Sequence, residues 1–395
     1  MTRPVLPVDV TSASPGRVGM AGFAVVGVAF GMARFCFGLT LPGIRQDLGL
    51  SELVLGLIAS ASFVGYLAGL LLSGVLAARR GPRAPTTVGG ACAVLGCLVV
   101  AAAPTAPLLT FGAVLAGSAA GWVWAPYLEI VERVAPEPVR PRLLALIATG
   151  VGAGLVLVGL LVLAVGVSGW RLTWVGVGVA AAVAVVVNLR WVPPLHPAPA
   201  AATGTLGRGL LTVAVIRPLV FVTVAFAACT VYLVFAADAV QSGGLDDSAG
   251  GLLYVVLGVS GLVAVFAQRA IAAFGAERMA AVCLGAFGAS LGILGGATHL
   301  LWAVLASAVL FGAAFATGSA VVSIWVGQVF PAEPARAFTA LFVAGAVSSI
   351  ATPTVVGALL TLTRLGTVLL AAAALTVVTA AAIAVPGRRQ LPPAA

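Results

Sequence analysis

The sequence predicts an all-α membrane protein of 12 transmembrane helices, arranged as two six-helix bundles with pseudo-two-fold symmetry. Composition, arginine placement and an internal repeat predict it. Hydrophobic residues fill 62% of the 395 positions and charged residues 8%. A soluble domain is roughly half apolar and a quarter charged. No soluble interior could hide this much apolar surface, so lipid is the solvent for most of the chain. At about 20 apolar residues per span, there is room for ten to twelve spans.

Pro, Gly and Arg punctuation divides the apolar stretches. The first span is expected from about Gly19 to Leu41, the second from Leu53 to Ala77 and the third from Ala84 to Ala103. The fourth covers Leu108 to Val131, the fifth Leu143 to Val165 and the sixth Gly169 to Trp191. Spans seven to twelve start near Leu211, Gly250, Met279, Leu301, Phe338 and Thr367. The first apolar run is longer than a signal-peptide core and lacks a small-residue cleavage site, so it reads as a retained helix. The Pro-rich stretch after Trp191 reads as a linker. The expected organisation is an N-terminal bundle over 1–192, a cytoplasmic linker over 193–210 and a C-terminal bundle over 211–395.

The net charge of +9 comes entirely from arginine. The arginines sit singly or in small groups between apolar stretches, which is a topology signal rather than a nucleic-acid surface. With the N-terminus inside, Arg3, Arg17, Arg79, Arg80, Arg83, Arg133, Arg140, Arg142, Arg190, Arg208, Arg217, Arg269, Arg278, Arg336, Arg388 and Arg389 fall on one side. Arg45, Arg171 and Arg364 fall on the other, with Asp238, Asp246 and Asp247. This asymmetry predicts a multi-pass protein of the cell membrane with both termini cytoplasmic.

The halves repeat. Gly49-Leu50-Ser51-Glu52 followed by Gly56-Leu57 opens span two; Gly244-Leu245-Asp246-Asp247 followed by Gly251-Leu252 opens span eight. Arg80-Gly81-Pro82-Arg83 has its counterpart in Phe274-Gly275-Ala276-Glu277-Arg278, and Pro136-Glu137-Pro138-Val139-Arg140 in Ala332-Glu333-Pro334-Ala335-Arg336. Two similar bundles rocking about a central site give alternating access.

These features resemble the major facilitator superfamily over essentially the whole chain. The family's loop between spans two and three stands here as Gly74-Val75-Leu76-Ala77-Ala78-Arg79-Arg80-Gly81-Pro82-Arg83. Its glycines and arginines match, and the acidic position is Ala78. The resemblance implies that Gly74, Arg79, Arg80, Gly81 and Arg83 belong to a gate on the cytoplasmic side, one that lacks its usual carboxylate. The arginine that opens the family's span-four motif is absent around Thr110-Phe111-Gly112, as is the Gly-Pro pair of its drug antiporters. Gly31-Met32-Ala33-Arg34-Phe35, leading to Leu41-Pro42, is similar to the YbfB/YjiJ-type subgroup.

Arg34 is the sharpest individual feature. A charge at the middle of a spanning helix costs about 3 kcal/mol on insertion scales, so it must meet water, a partner or the bundle interior. It reads as an anchor for an anionic solute, whose carboxylate matches the guanidinium fork. A clamp on helix-end carbonyls or on Asp238, and snorkelling to the interface, stay open beside it. Asp238 reads as a proton carrier or as the first residue of a solvated loop. Glu129, one turn before Glu132 and Arg133, reads as part of a cytoplasmic ion-pair gate or as a solvated interface residue, ahead of a proton-coupling group. The resemblance implies that spans one, four, seven and ten line the cavity. That makes Phe35, Trp122, Trp124, Tyr127, Tyr232, Trp325 and Gln328 candidates for an amphipathic pocket, flanked by Tyr66 and Tyr254. Trp170 and Trp191 read as aromatic-belt residues.

The expected function is secondary active transport of a small organic solute, with proton coupling open and Arg34 favouring an organic anion. A membrane-embedded transferase would need clustered acids or a His/Asp pair, and the sole adjacent acids are Asp246-Asp247. A non-transporting membrane sensor is the other alternative. The pattern is not that of an enzyme, and it predicts no catalytic residue, no cofactor and no metal. The expected partners are a small-molecule substrate and the lipid bilayer, with no nucleic acid, on a monomeric chain.

Overall fold

The computed structural model describes residues 14–197, 215–331 and 334–385, with side chains from 337 onward in the last stretch. Twelve helices within it are long and apolar enough to cross a membrane. They are α1 Pro15–Leu48, α2 Glu52–Arg80, α3 Arg83–Ala102, α4 Ala106–Val134, α5 Glu137–Val165 and α6 Trp170–Trp191, then α7 Ile216–Ser242, α8 Ser248–Phe274, α9 Ala276–Gly296, α10 Leu301–Val329, α11 Ala337–Leu359 and α12 Leu365–Ala384. Arg3, Arg208, Arg388, Arg389, Leu211, Glu333, the side chain of Arg336 and the linker from residue 198 onward lie outside the described residues.

The duplication is visible in the packing. In the first half α1 packs on α5, α2 and α3 on α4, and α3 on α6. In the second half α7 packs on α11, α8 and α9 on α10, and α9 on α12. Each pair recurs six helices later. The turns repeat as well. Gly49 and Gly244 end α1 and α7 regions at φ 61° and 82°, while Gly81 and Gly275 end α2 and α8 at φ 82° and 86°. A side chain at such angles is strained, so the repeated glycines mark repeated turns.

Two elements depart from the expected map. Span one does not stop at Pro42 but continues to Leu48. The proline removes one backbone donor, while residues from Cys36 to Ile44 are buried and hold the helix by packing. Asp238 is not the first residue of a loop: α7 runs four residues beyond it, and the carboxylate is buried. Trp170 is likewise buried rather than in a membrane-interface belt, because it packs against Gly43 of α1.

The halves meet along three seams, α1 with α7, α2 with α11 and α5 with α8. All three close by backbone approach at glycine. A Cβ on Gly38 would overlap the Leu233 carbonyl and stand 2.7 Å from Val234 Cα. One on Gly56 would overlap the Pro353 carbonyl, and those on Gly152 and Gly159 would come 2.7 Å from the carbonyls of Gly258 and Gly251. Ser60 adds a hydrogen bond to Thr354 at 2.7 Å, and Tyr254 donates to the Leu233 carbonyl at 2.6 Å beside α1. The Gly152–Gly258 contact lies about a turn to one side of Arg34, level with Gly31, and the contacts of Gly38, Gly56, Ser60 and Gly159 lie beyond Arg34 on the other side, toward the end where Gly49 and Gly244 turn. That end, which we call the far face, is therefore closed. The opposite end carries most of the arginines and is the arginine-rich face.

Candidate functional site

Arg34 sits near the middle of α1, just after seven residues of π-helix, Gly27–Ala33. Its own N–H bonds five residues back to the Ala29 carbonyl. Wider turns of this kind favour functional positions. Here Gly27 and Gly31 press against the backbone of Gly150, Val151 and Gly154 on α5, which leaves α1 little freedom to bulge elsewhere.

The guanidinium is enclosed by four rings. Its central carbon lies 3.8 Å from the ring centre of Tyr66, 5.1 Å from Phe63, and 5.6 Å from both Phe30 and Phe35. Each such contact contributes about 0.5–2 kcal/mol, most where water is excluded. The rings soften the charge without neutralising it. Ion pairs among the described residues are Arg45–Glu52, Arg45–Asp238, Arg133–Glu129, Arg171–Asp47 and Arg217–Glu277, and none includes Arg34. Its Nε is buried with no hydrogen-bond acceptor. A planar cation with a buried donor that meets no acceptor in the protein has the donor geometry that suits a carboxylate.

The second half walls this site. Phe35 meets Phe315 of α10 edge-on at 6.2 Å, and Phe315 stacks on toward Phe311. Tyr66 packs with Ala346 of α11. Phe30 stands edge-on to Trp124 of α4 at 6.2 Å. Of the aromatic candidates, Phe35 is thus in the cage and Trp124 directly behind it.

Other candidates lie elsewhere. Tyr127 is buried inside the first bundle, donating to Asn188 Oδ1 at 2.6 Å, while Asn188 Nδ2 donates to Thr86 and Thr87. Trp122 fills the space beside Gly69 and Gly89. Tyr232 stacks on Phe311 at 3.9 Å and shares a hydrogen bond with Ser307, within the second bundle. Trp325 is buried against Phe221, and Gln328 is exposed toward the arginine-rich end of α10. Their aromatic identity was legible, whereas the helix face each occupies was not. Replacing Tyr127 with Phe is expected to leave solute KM unchanged. It removes the shorter of two bonds to Asn188 Oδ1, leaving the 3.4 Å one from Thr86, and should cost about 1 kcal/mol of stability, read as a lower Tm of the purified protein.

The gate candidates divide between the two faces. Glu129 pairs with Arg133 at 3.5 Å along one helix, and Arg133 donates to the His196 carbonyl. Gly81 is crossed by the Leu195 carbonyl, so it ties the α2–α3 turn to the chain leaving α6. Gly74 has open space beside it, and Arg79, Arg80 and Arg83 form no ion pair among the described residues. The link between the halves is instead at the far face, where Arg45 Nη2 donates to Asp238 at 2.7 Å and to Glu52 at 3.0 Å. Arg45 and Glu52 were not singled out in the sequence. Their available signal was the tight Gly49 turn, which brings residues seven apart within reach.

Comparison with known proteins agrees with this architecture. The model of the Major Facilitator Superfamily matches residues 23–273. The 3-(3-hydroxy-phenyl)propionate transporter of Escherichia coli (strain K12) is 30% identical over 159 residues, 40% of this chain and 39% of that protein. The multidrug resistance protein MdtL of Klebsiella pneumoniae is 31% identical over 107 residues, 27% of each chain. The matched stretches thus span well under half of either relative. Among solved structures, a D-xylose-proton symporter superposes with a TM-score of 0.75 at 16% identity, covering 94% of this chain and 97% of that one. The nucleoside transporter NupG gives 0.72 at 14%, covering 93% and 98%. The family model covers more than half of the chain, and the chain belongs to the Major Facilitator Superfamily.

Proposed function

We propose that this protein is a secondary active transporter that moves a small organic anion with an aromatic or apolar body by alternating access. The observation that carries the reading is Arg34: a guanidinium without an ion pair among the described residues, in a cage of Phe30, Phe35, Phe63 and Tyr66. A carboxylate would take the donors and the rings would take the body of the solute. The relative from E. coli is named for a substrate that joins a phenyl ring to a carboxylate, which supports the same chemistry. The two bundles, split at the linker over 193–210, rock about this site in a monomer of the cell membrane. The arginine-rich face is cytoplasmic, and so are both termini. The described state is then closed to the outside. Arg79, Arg80, Gly81 and Arg83 are placed to meet the second half when the inner face closes.

The test is uptake into proteoliposomes of a phenylpropionate-type acid, with and without a pH gradient. The acid is expected to accumulate, and its neutral amide neither to accumulate nor to compete. Equal handling of acid and amide would refute the anion reading, and dependence on the gradient would show coupling to protons.

A further inference from the structure

The cage around Arg34 has little ring surface left for a solute. Phe35, Phe63 and Tyr66 are 6%, 4% and 3% exposed. The guanidinium stands over Tyr66, and Phe35 is engaged by Phe315. Phe30 is the cage ring that stays partly exposed. It lies one turn nearer the arginine-rich face than Arg34 and packs against the cluster of Tyr66, Ala120 and Ala346. The body of a solute whose carboxylate meets Arg34 therefore extends toward the arginine-rich face, past Ala346 of α11. One turn along α11 in that direction is Phe342. Its ring stacks on Phe338 at 4.2 Å and stands edge-on to Phe226 of α7 at 5.4 Å. These three rings are partly exposed, whereas Phe221, Phe287 and Phe311 of the same half are buried.

That exposure is not to lipid. Along α11 the exposed row is Val347, Ala351 and Val355, four residues apart. At 3.6 residues per turn, Phe338 and Phe342 lie roughly half a turn round the helix from it. They share the row of Ala346, Ser349 and Pro353, which is buried against α2 and α7. The frame beneath the rings is fixed as well. Phe226 lies against Gly345, where a Cβ would come within 2.8 Å of the ring. Thr230 donates to Ser349 at 2.9 Å, and Ser348 to the Thr223 carbonyl at 2.9 Å, so α7 and α11 are tied on both sides of Phe226. Groups held in place before a ligand arrives lose little freedom on binding it.

We propose that Phe226, Phe338 and Phe342 form the subsite for the apolar body of the solute, so that the carrier selects arylalkanoates and like anions with a ring a short alkyl chain from the carboxylate. The step from Ala346, level with Arg34 through Tyr66, to Phe342 is one helical turn, about 5.4 Å. A chain of about two or three carbons covers it. Phe226 and Phe342 stand at 82° to each other. A ring stacked on one therefore meets the other edge-on, and aromatic pairs favour both arrangements.

The proposal rests on the reading of Arg34 as the carboxylate anchor, and its test separates the two. Equilibrium binding of phenylpropionate, its neutral amide and butanoate is measured on the purified full chain in lipid nanodiscs. Phe342→Leu is expected to raise the Kd of phenylpropionate relative to that of butanoate about fivefold, or about 1 kcal/mol. Phe338→Leu should shift the ratio in the same direction. Arg34→Ala should weaken both acids together. Leucine keeps the positions apolar, and each variant is first checked by its elution as a folded monodisperse species, so a misfolded Phe342→Leu leaves Phe338→Leu to decide. An unchanged ratio in both variants overturns the subsite, and if Arg34→Ala still weakens both acids the anchor stands. A larger shift in Phe315→Leu than in Phe342→Leu puts the body on α10 and also overturns it. If the ring variants weaken acid and amide alike while Arg34→Ala weakens neither, the anchor falls and the subsite stands. No binding of phenylpropionate to the unaltered chain overturns the assigned class.

Discussion

Replacing Arg34 with alanine is expected to lower kcat/KM for an anionic solute by about two orders of magnitude. A charge-assisted hydrogen-bonded pair contributes about 3 kcal/mol, and each 1.4 kcal/mol is tenfold. The loss should be specific to charge. Whatever residual flux a neutral amide analogue shows should change little, because its donors and acceptors never used the full guanidinium. Arg34→Lys should recover only part of the rate. An ammonium offers a point charge in place of a planar fork and stacks less well on Tyr66. A purely structural arginine predicts a different outcome, in which acid and amide fall together and Tm falls with them. Parallel flux and melting measurements on Arg34→Ala and Arg34→Lys distinguish the two.

The second large effect is expected at Gly38. Alanine there would drive its methyl into the Leu233 carbonyl, with Val234 Cα 2.7 Å away. Both neighbours are backbone, so no rotamer change relieves the overlap, and α1 and α7 must part. Overpacking of this kind costs roughly 1–3 kcal/mol, and here the cost falls on the far-closed state alone. The closed fraction should drop by about tenfold or more. Solute would still enter the site from the far face, but turnover should collapse because the carrier cannot reseal. A cysteine in place of Val234, buried in the same seam, reads this directly: its labelling by a membrane-impermeant maleimide from the far face should be about tenfold faster in Gly38→Ala. Gly74→Ala, facing open space in this state, is the matching control for the far seam.

The fold was legible because its causes are one-dimensional. Apolar runs set the helices, arginines set their alternation, and the Gly49/Gly244 and Gly81/Gly275 turns repeat because a positive φ excludes most other residues. The misplacements have physical causes too. Pro42 looks like a terminator by local rule, but buried packing on both sides carries α1 through it. Asp238 looks like loop because polar residues follow it, but an arginine on another helix makes burial tolerable. Arg34 stood out as a lone intramembrane charge. Its neighbours Phe30 and Phe63 did not, since in a chain so rich in apolar residues an aromatic is informative only once its helix face is known. For the same reason the sequence points to Tyr127, Tyr232 and Trp325 as cavity residues, whereas they pack against Asn188, Phe311 and Phe221 within their own halves.

The π-helical stretch of α1 has a mechanical consequence. A π turn holds one more residue than an α turn, and one residue of α-helix corresponds to about 100° of rotation and 1.5 Å of rise. Relaxing Gly27–Ala33 to α geometry would twist the outer part of α1 against its inner part by about that angle. Arg34, Phe35 and Arg45 all ride on the outer part. The proposed solute anchor and the Arg45–Asp238 pair are thus mounted on one shaft, with Gly27 and Gly31 bearing on α5 as its collar. A single torsion there would swing the guanidinium out of its rings and pull Arg45 from Asp238 in the same stroke.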